Sequence, residues 1–386
     1  MKKIAILGST GSIGRNTLKV IKNLGDEYIP FALSCNTNAA ALAEQALTYH
    51  PKVIAIVQKE SAGILEKKLA GTNIKILYGE NALREIVNLE DVDFVLNAIM
   101  GSAGFYPTLE AIKKGKDVAL ANKEALVAYG ETIMENASTN NVNIIPVDSE
   151  HSAIFQCLNG RQSSDVKKLI LTSSGGPFRE RPDLNNISLK ETLSHPVWNM
   201  GEKISVDSAT MMNKALEIIE AHFLFNIPGE KISVVIHPEC IIHSAVEFID
   251  GSVIALLSTP DMKLPIQYSI TYPERKPSLT KTLNLNTISK LTFEDVNLSK
   301  FPAINLAYRA LEMGGTATAV LNASNEFLVN AFLNKKIRFE DIVKTVEFIL
   351  NKHIPTLHPS IEQVKDAEQW AKDETKIYLK TKGYKL

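Results

Sequence analysis

Two carboxylates separated by one residue, Asp148 and Glu150, follow directly on the apolar run Val142 to Val147, in the string Val147-Asp148-Ser149-Glu150-His151-Ser152. In an extended segment residues i and i+2 point to the same side, so this pattern holds two like charges close together while Ser149 faces the other way. A cation relieves that repulsion. Hard oxygen donors, with no cysteine or histidine set at zinc spacing, select Mg2+ or Mn2+ over Zn2+. For an isolated Asp-x-Glu a polar turn after a buried strand is the better account, so the pair gains weight only from its company.

That company includes Asp207-Ser208-Ala209-Thr210-Met211-Met212-Asn213-Lys214-Ala215-Leu216-Glu217. Ser208 or Asp207 can cap a helix whose apolar stripe is Met212, Leu216, Ile219 and Phe223. At about 100° per residue Asn213 and Glu217 share a facet and Lys214 lies just beyond it, so an amide, an ammonium and a carboxylate gather at one helix start. Surface Lys-Glu pairs in this order contribute little to helix stability, which leaves chemistry as the better reason for the set. Ser173-Ser174-Gly175-Gly176-Pro177, after the apolar run Leu169 to Thr172, is a small, donor-rich loop suited to an anion or to an ordinary turn.

At the front of the chain Ile4 to Leu7 reads as a buried strand, followed by Gly8-Ser9-Thr10-Gly11-Ser12-Ile13-Gly14 and the amphipathic stretch Asn16 to Asn23. Strand, glycine turn and helix together let a backbone approach a pyrophosphate at a helix N-terminus, and the GxxGxxG spacing is a looser form of the dinucleotide fingerprint. After the second apolar run, Phe31 to Leu33, the segment Asn36-Thr37-Asn38 has no acid to repel a 2′-phosphate and no Lys or Arg to attract one. NADP recognition would then rest on these side chains, on backbone amides and on a more distant cation.

The elements that must position these groups follow from the hydrophobic pattern. Further apolar runs at Val53–Val57, Phe94–Ile99, Val118–Ala121 and Val142–Val147 alternate with helical periodicity, which predicts a doubly wound parallel sheet of Rossmann type. Val234–His237, Ala245–Phe248 and Val253–Leu257, the last two joined by an Asp250-Gly251 turn, predict antiparallel strands in a central α+β domain. Ile304–Met313, Thr316–Asn334 and Phe339–Lys352 predict a C-terminal helical bundle. At 386 residues, 45% hydrophobic and 22% charged, the chain can build more than one core. A net charge of -1 without a basic run argues against nucleic acid or an anionic membrane as partner. Cys35, Cys157 and Cys240 are scattered and odd in number, which suits a reducing compartment, and no apolar run approaches the roughly 20 residues of a membrane span. The expectation is a cytoplasmic protein with small-molecule ligands.

Seven strings, in order through nearly the whole chain, resemble the 1-deoxy-D-xylulose 5-phosphate reductoisomerase family. They are Gly8 to Gly14, Ala121-Asn122-Lys123-Glu124, Val147 to His151, Ser173 to Phe178, Ser194-His195-Pro196-Val197-Trp198-Asn199-Met200-Gly201, Asn213 to Glu217, and His237-Pro238 with Ile242-His243-Ser244. The resemblance implies an enzyme of non-mevalonate isoprenoid biosynthesis that rearranges 1-deoxy-D-xylulose 5-phosphate by retro-aldol and aldol steps and reduces the product with NADPH to 2-C-methyl-D-erythritol 4-phosphate. It implies Asp148, Glu150 and Glu217 as ligands of one divalent cation, Mg2+ or Mn2+. It implies Ser174, His195, Ser208, Asn213 and Lys214 at the substrate phosphate, and Lys123 and Ser149 at the substrate oxygens near the metal. Thr10, Gly11, Ser12, Ile13, Asn122, Glu124 and Gly201 are implied as NADPH contacts, together with Asn36, Thr37 and Asn38, where the basic residue common in the family is missing. His243 corresponds to a histidine near the family's active site, and the antiparallel sheet corresponds to a homodimer interface.

The expected layout is an NADPH-binding domain over 1–147, a catalytic domain over 148–271 with a lid at 194–202, a linker over 272–299 and helices over 300–386. Two readings from other classes stay open. A metal-independent NAD(P) oxidoreductase acting on a semialdehyde would leave the carboxylates without a role, and a catalytically silent nucleotide sensor would leave Lys214 and Glu217 without one.

Overall fold

A computed structural model of the protein describes residues 1–198 and 200–385. They form two compact units, one of Met1–Ala125, Ile133–Ser152 and Asp261–Lys281, the other of Leu126–Thr132, Ala153–Pro260 and the residues from Thr282 onward.

The first unit alternates strands and helices: β1 (Lys2–Leu7), α1 (Ser12–Leu24), β2 (Tyr28–Cys35), α2 (Ala39–Tyr49), β3 (Val53–Ile56), α3 (Ala62–Lys68), β4 (Lys75–Tyr78), α4 (Asn81–Asn88), β5 (Phe94–Asn97), α5 (Phe105–Lys113), β6 (Asp117–Leu120), α6 (Lys123–Thr139) and β7 (Ile144–Pro146). All seven strands are parallel, in the order β4-β3-β2-β1-β5-β6-β7. Helices on both faces bury β3 and β5 completely, which is why these strands read as continuous apolar runs rather than alternating ones. β4 was not visible in the sequence because it is an edge strand with only Leu77 buried. The strand order reverses between β1 and β5, and ligands of open α/β sheets bind outside the carboxyl ends of the strands at such a switch point.

The second unit carries α7 (Ser149–Leu158, beginning in the first unit), β8 (Val166–Ser173), α8 (Leu189–Thr192), α9 (Glu202–Ala209), α10 (Met212–Phe225), β9 (Ile232–Ile236), β10 (Ile242–Phe248) and β11 (Val253–Leu257). After α11 (Lys263–Thr271), which belongs to the first unit, come α12 (Ala303–Met313), α13 (Ala317–Leu333), α14 (Asp341–Lys352) and α15 (Ile361–Thr381). The sheet order is β11-β10-β8-β9. β10 runs antiparallel to both β8 and β11, as the hairpin pattern implies, but β9 is parallel to β8, so the sheet is mixed rather than antiparallel. The reason is the long helical crossover between β8 and β9, which returns the chain in the same direction.

Tertiary contacts rearrange the sequential layout expected above. α11 packs on α1 and beneath β6 and β7, and Lys2 Nζ donates to the Ile270 carbonyl at 2.9 Å over the Phe94 ring, so residues 261–281 belong with the nucleotide-type sheet. α12, α13, α14 and α15 pack on one another as the expected helical bundle, and α12, α13 and α14 also share one core with α10 and the mixed sheet, joining Leu216 and Ile219 to Ile304, Leu328 and Val346. The stretch expected as a linker adds an antiparallel bridge, Ile236 to Glu294, beside β9. The 21-residue α15 escaped the periodicity reading, although Ser360 and Gln363 form the capping box that announces it.

Candidate active site

In the first unit the glycine turn closes on itself, with Gly11 N–H donating to the Gly8 carbonyl at 3.1 Å and Ser9 N–H to the Ser34 carbonyl of β2 at 2.8 Å. Gly14 is required by close approach, since a Cβ there would lie 2.4 Å from Ser9 Cα. Gly11 is the N-cap of α1 and offers no side-chain cap, so the first-turn amides of Ser12 and Ile13 point their dipoles toward the loop and suit a pyrophosphate. Asn36, Thr37 and Asn38 are exposed just past β2, and the Asn38 side chain is already committed to capping α2, accepting from Ala41 N–H at 3.1 Å. Asn122, after β6, is buried, and its Nδ2 donates to the Gly101 carbonyl at 2.8 Å and to Glu124 at 3.2 Å. Its Oδ1 is a buried acceptor with no protein partner, which a donor on a bound cofactor would satisfy.

Lys123 and Asp148 follow the adjacent strands β6 and β7 and form an ion pair between largely buried side chains. Carboxylate oxygens of Asp148 and Glu150 lie within 4.8 Å of each other, as the Asp-x-Glu reading requires. The backbone that brings them together is different from the one expected. Asp148 precedes α7, its carbonyl accepts from Ser152 N–H at 2.8 Å, and Ser149 and Glu150 occupy the first helical turn, so the acids sit at a helix start rather than along an extended strand. Ser149 Oγ donates to Glu150 Oε2 instead of facing away. Acids in a first turn are favoured by the helix dipole, which lowers the cost of holding the two charges together. The sequence reading passed over His151, which is fully buried and has a ring nitrogen within 4.8 Å of an Asp148 carboxylate oxygen.

In the second unit the donors expected at the phosphate are interlocked. Gly175 and Gly176 both have positive φ, +83° and +70°, which turns the chain sharply after β8. Ser174 Oγ accepts from Gly176 N–H at 3.2 Å and lies 3.1 Å from His195 Nε2. His195 Nδ1 accepts from Val197 N–H at 3.2 Å and Trp198 N–H at 2.9 Å. That leaves the proton on Nε2, which donates to Ser174 and frees the serine hydroxyl hydrogen for an anion. Burial holds the His195 imidazole below its ordinary pKa, so it is neutral at pH 7. A Cβ on Gly176 would lie 2.6 Å from the Ser208 carbonyl oxygen, which puts the glycine loop in direct contact with the end of α9.

The capping expectation for α10 is corrected. Asp207 and Ser208 lie in the last turn of α9, and the N-cap of α10 is Met211, in left-handed conformation at φ +61°. The Asp207 carboxylate is turned away by Asn325 and Lys203, and Thr210 Oγ1 accepts from Met212 N–H at 3.3 Å instead. The facet reading holds: Glu217 accepts hydrogen bonds from both Asn213 Nδ2 and Lys214 Nζ, in a helix where Lys214 and Glu217 are almost wholly buried. Such a buried set costs desolvation that only full pairing offsets, which is a weak way to stabilise a helix and a good way to preset donors and a carboxylate. His243 is buried, with Nε2 2.8 Å from Ser258 Oγ. Gly201 is the N-cap of α9 and exposed. The expected lid at 194–202 includes Asn199, which lies outside the described residues.

Comparison with known proteins gives a consistent result along the whole chain. Family descriptions match in three successive parts: 1-deoxy-D-xylulose 5-phosphate reductoisomerase over residues 4–130, its C-terminal domain over 144–225, and the DXP reductoisomerase C-terminal domain over 257–374. The 1-deoxy-D-xylulose 5-phosphate reductoisomerase of Chlorobium chlorochromatii is 47% identical over 381 residues, spanning 98% of this chain and 100% of the relative. That of Clostridium tetani is 49% identical over 369 residues, spanning 94% and 96%. Among solved structures, the reductoisomerase from Zymomonas mobilis in complex with NADPH superposes with a TM-score of 0.91 at 40% identity, covering 97% of this chain and 98% of that one. A DOX-P reductoisomerase in complex with NADPH, fosmidomycin and magnesium gives 0.92 at 38% identity, with 98% of each chain covered.

Proposed function

This chain belongs to the 1-deoxy-D-xylulose 5-phosphate reductoisomerase family, and from that premise we propose how its residues carry out the conversion of 1-deoxy-D-xylulose 5-phosphate to 2-C-methyl-D-erythritol 4-phosphate with NADPH and a divalent cation. The observation that carries the activity is the similarity to curated reductoisomerases over essentially the full length of both chains.

NADPH is held by Thr10, Gly11, Ser12 and Ile13 at the start of α1, by Asn36, Thr37 and Asn38 beside it, and by Asn122, Glu124 and Gly201. The orphaned Asn122 Oδ1 and the uncapped α1 support this assignment. Asp148, Glu150 and Glu217 hold the cation. The donor set supports Mg2+ or Mn2+, because every ligand is a carboxylate. The bound cation supplies Lewis-acid polarisation of the substrate's carbonyl and neighbouring hydroxyl. Lys123 Nζ, seated against Asp148, donates to substrate oxygens there, and Ser149 Oγ, whose hydrogen goes to Glu150, accepts from a substrate hydroxyl. Ser174, His195, Ser208, Asn213 and Lys214 bind the phosphate, the part of the substrate that does not react, and their binding energy aligns the reacting carbons. Val197 and Trp198, anchored through their N–H groups to His195, form one end of a lid over the substrate that excludes water. The skeletal rearrangement runs as a retro-aldol cleavage followed by aldol rejoining. His243 supports the site through Ser258.

The enzyme is a cytoplasmic homodimer in this reading. β11 is an edge of the mixed sheet and exposes Val253 (56%) and Ile254 (37%), with Ile249 (69%) exposed in the turn before it, an apolar edge that a second copy would cover by strand pairing. Among the described residues no helix is long and apolar enough to cross a membrane. Sedimentation of Ile254→Lys against the parent tests the dimer; an unchanged mass would refute this edge as the interface.

The decisive assay is NADPH oxidation with 1-deoxy-D-xylulose 5-phosphate in Mg2+, Mn2+ or EDTA, repeated with NADH. Metal-dependent oxidation with carbon-skeleton rearrangement of the product is expected. Oxidation indifferent to EDTA would remove the carboxylates from their assigned role.

A further inference from the structure

One buried carboxylate has no part in the scheme above. Asp207, in the last turn of α9, is wholly buried. Its Oδ1 accepts from Asn325 Nδ2 at 2.7 Å, and its Oδ2 lies 2.9 Å from Lys203 Nζ one helical turn earlier. Asn325 comes from the middle of α13, 118 residues away, and is also wholly buried.

We propose that Asn325 is a positioning residue for the phosphate end of the active site, acting through Asp207 on Ser208 and on the corner that leads into Asn213 and Lys214. This rests on the phosphate reading of those residues given above.

Three observations carry it. The first is adjacency: Asp207 directly precedes Ser208, and the Ser208 carbonyl abuts Gly176 of the serine-glycine loop, so the end of α9 is wedged between that loop and α13. A shift of Asp207 is transmitted to both. The second is the corner itself. Met211 at φ +61° turns α9 into α10 within two residues, so the orientation of the α9 end sets where the first turn of α10 presents Asn213 and Lys214. The third is charge. A buried anion next to a residue that binds phosphate opposes that binding unless it is compensated, and here Lys203 supplies the charge while Asn325 supplies the second donor.

An amide at this place satisfies Asp207 and leaves other polar atoms unpaired. Asn325 Oδ1 and both polar atoms of Asn322, one turn earlier on α13, are buried without a protein partner, although leucine would fill such a site without that desolvation. Of the two amides, Asn325 is the one whose donor is spent on Asp207.

Asn325→Asp keeps the shape and replaces the donor with a second carboxylate facing Asp207. The KM for 1-deoxy-D-xylulose 5-phosphate and the inhibition constant of inorganic phosphate should rise together, each about tenfold, because both depend on the same donors. The KM for NADPH should stay within about twofold, since that ligand is held elsewhere. The exchanged pair Asp207→Asn with Asn325→Asp restores one carboxylate and one amide, and should bring both constants back to within about threefold of the parent. The proposal is overturned if Asn325→Asp leaves both constants within about twofold, or if NADPH and phosphate binding weaken in parallel and the exchange rescues neither. Should Asn325→Asp not fold, Asn325→Leu is read by the same criteria. Ser208→Ala separates the two levels. If it fails to weaken inorganic phosphate, the phosphate reading falls; if it weakens phosphate and Asn325→Asp does not, only the role of Asn325 falls.

Discussion

Substituting Gly176 by alanine tests the coupling between the serine-glycine loop and the end of α9. Two costs can be worked out. Alanine at φ +70° pays about 1–3 kcal/mol for a left-handed backbone. The added Cβ would also lie 2.6 Å from the Ser208 carbonyl oxygen, below the 3.0 Å that real Cβ contacts observe, and since a Cβ is fixed by its own backbone and the oxygen is backbone, neither can rotate away. The loop or the α9 corner must shift by several tenths of an ångström, carrying Ser174 and Ser208 apart. Misplacement on that scale typically costs between ~10-fold and ~100-fold in a positioned site. Steady-state kinetics should therefore show the KM for 1-deoxy-D-xylulose 5-phosphate rising by that factor, with NADPH affinity unchanged. Gly25→Ala is the control, because φ is +79° there but no atom lies within 4 Å of the new Cβ. It pays the backbone cost alone, visible as a lowered Tm. Equal KM values for the two variants, at similar loss of stability, would refute the coupling.

Other perturbations probe the remaining assignments. Glu217→Gln should abolish turnover while the NADPH Kd, read by fluorescence titration, stays within about twofold, since one lost carboxylate removes a charge from the cation and none from the cofactor loop; a cofactor affinity that falls with activity would refute this division of labour. Burial depresses the His195 pKa, so the stabilisation from its neutral form is complete above the ordinary value of 6.5 and is lost as pH falls through the lower folded value. Protonation of Nδ1 removes the acceptor for Val197 and Trp198, so substrate KM should climb as pH falls through the lowered folded value, on the acid side of the ordinary imidazole range, and the climb should flatten in His195→Gln. Thr37→Arg, which places a cation where Asn38 is already committed to its cap, should lower the NADPH KM by at least about tenfold in a salt-dependent way and leave NADH unaffected. Ser360→Ala removes the capping box of α15 and should cost about 1 kcal/mol in a denaturation titration without changing kcat.

Much of the molecule was legible because its signals are local. Continuous apolar runs marked the buried parallel strands, since strands covered on both faces have no polar side to show. The GxxGxxG turn marked the start of α1, because a helix packed that tightly on its strand leaves no room for a Cβ at Gly14. Asp148 with Glu150, and Asn213 with Lys214 and Glu217, were found as groups because each lies within five consecutive residues, a spacing over which local backbone geometry alone settles proximity. The partial failures follow the same logic. Asp148 and Glu150 were assigned to an extended segment because i, i+2 proximity does not distinguish a strand end from a first helical turn. Ser208 and Asp207 were assigned as caps because their residue types fit, while the competing claim on Asp207 comes from Asn325, far along the chain.

What the sequence alone determined was therefore the chemistry available and the elements that carry it, both encoded within a dozen residues. Tertiary structure alone decided the return of 261–281 to the parallel sheet, the parallel placement of β9, and the fusion of the C-terminal helices with the core under α10. It alone placed an amide from α13 on the carboxylate beside Ser208. These outcomes depend on burial and pairing between segments distant in sequence, and no periodicity or motif records which surface a distant segment will meet.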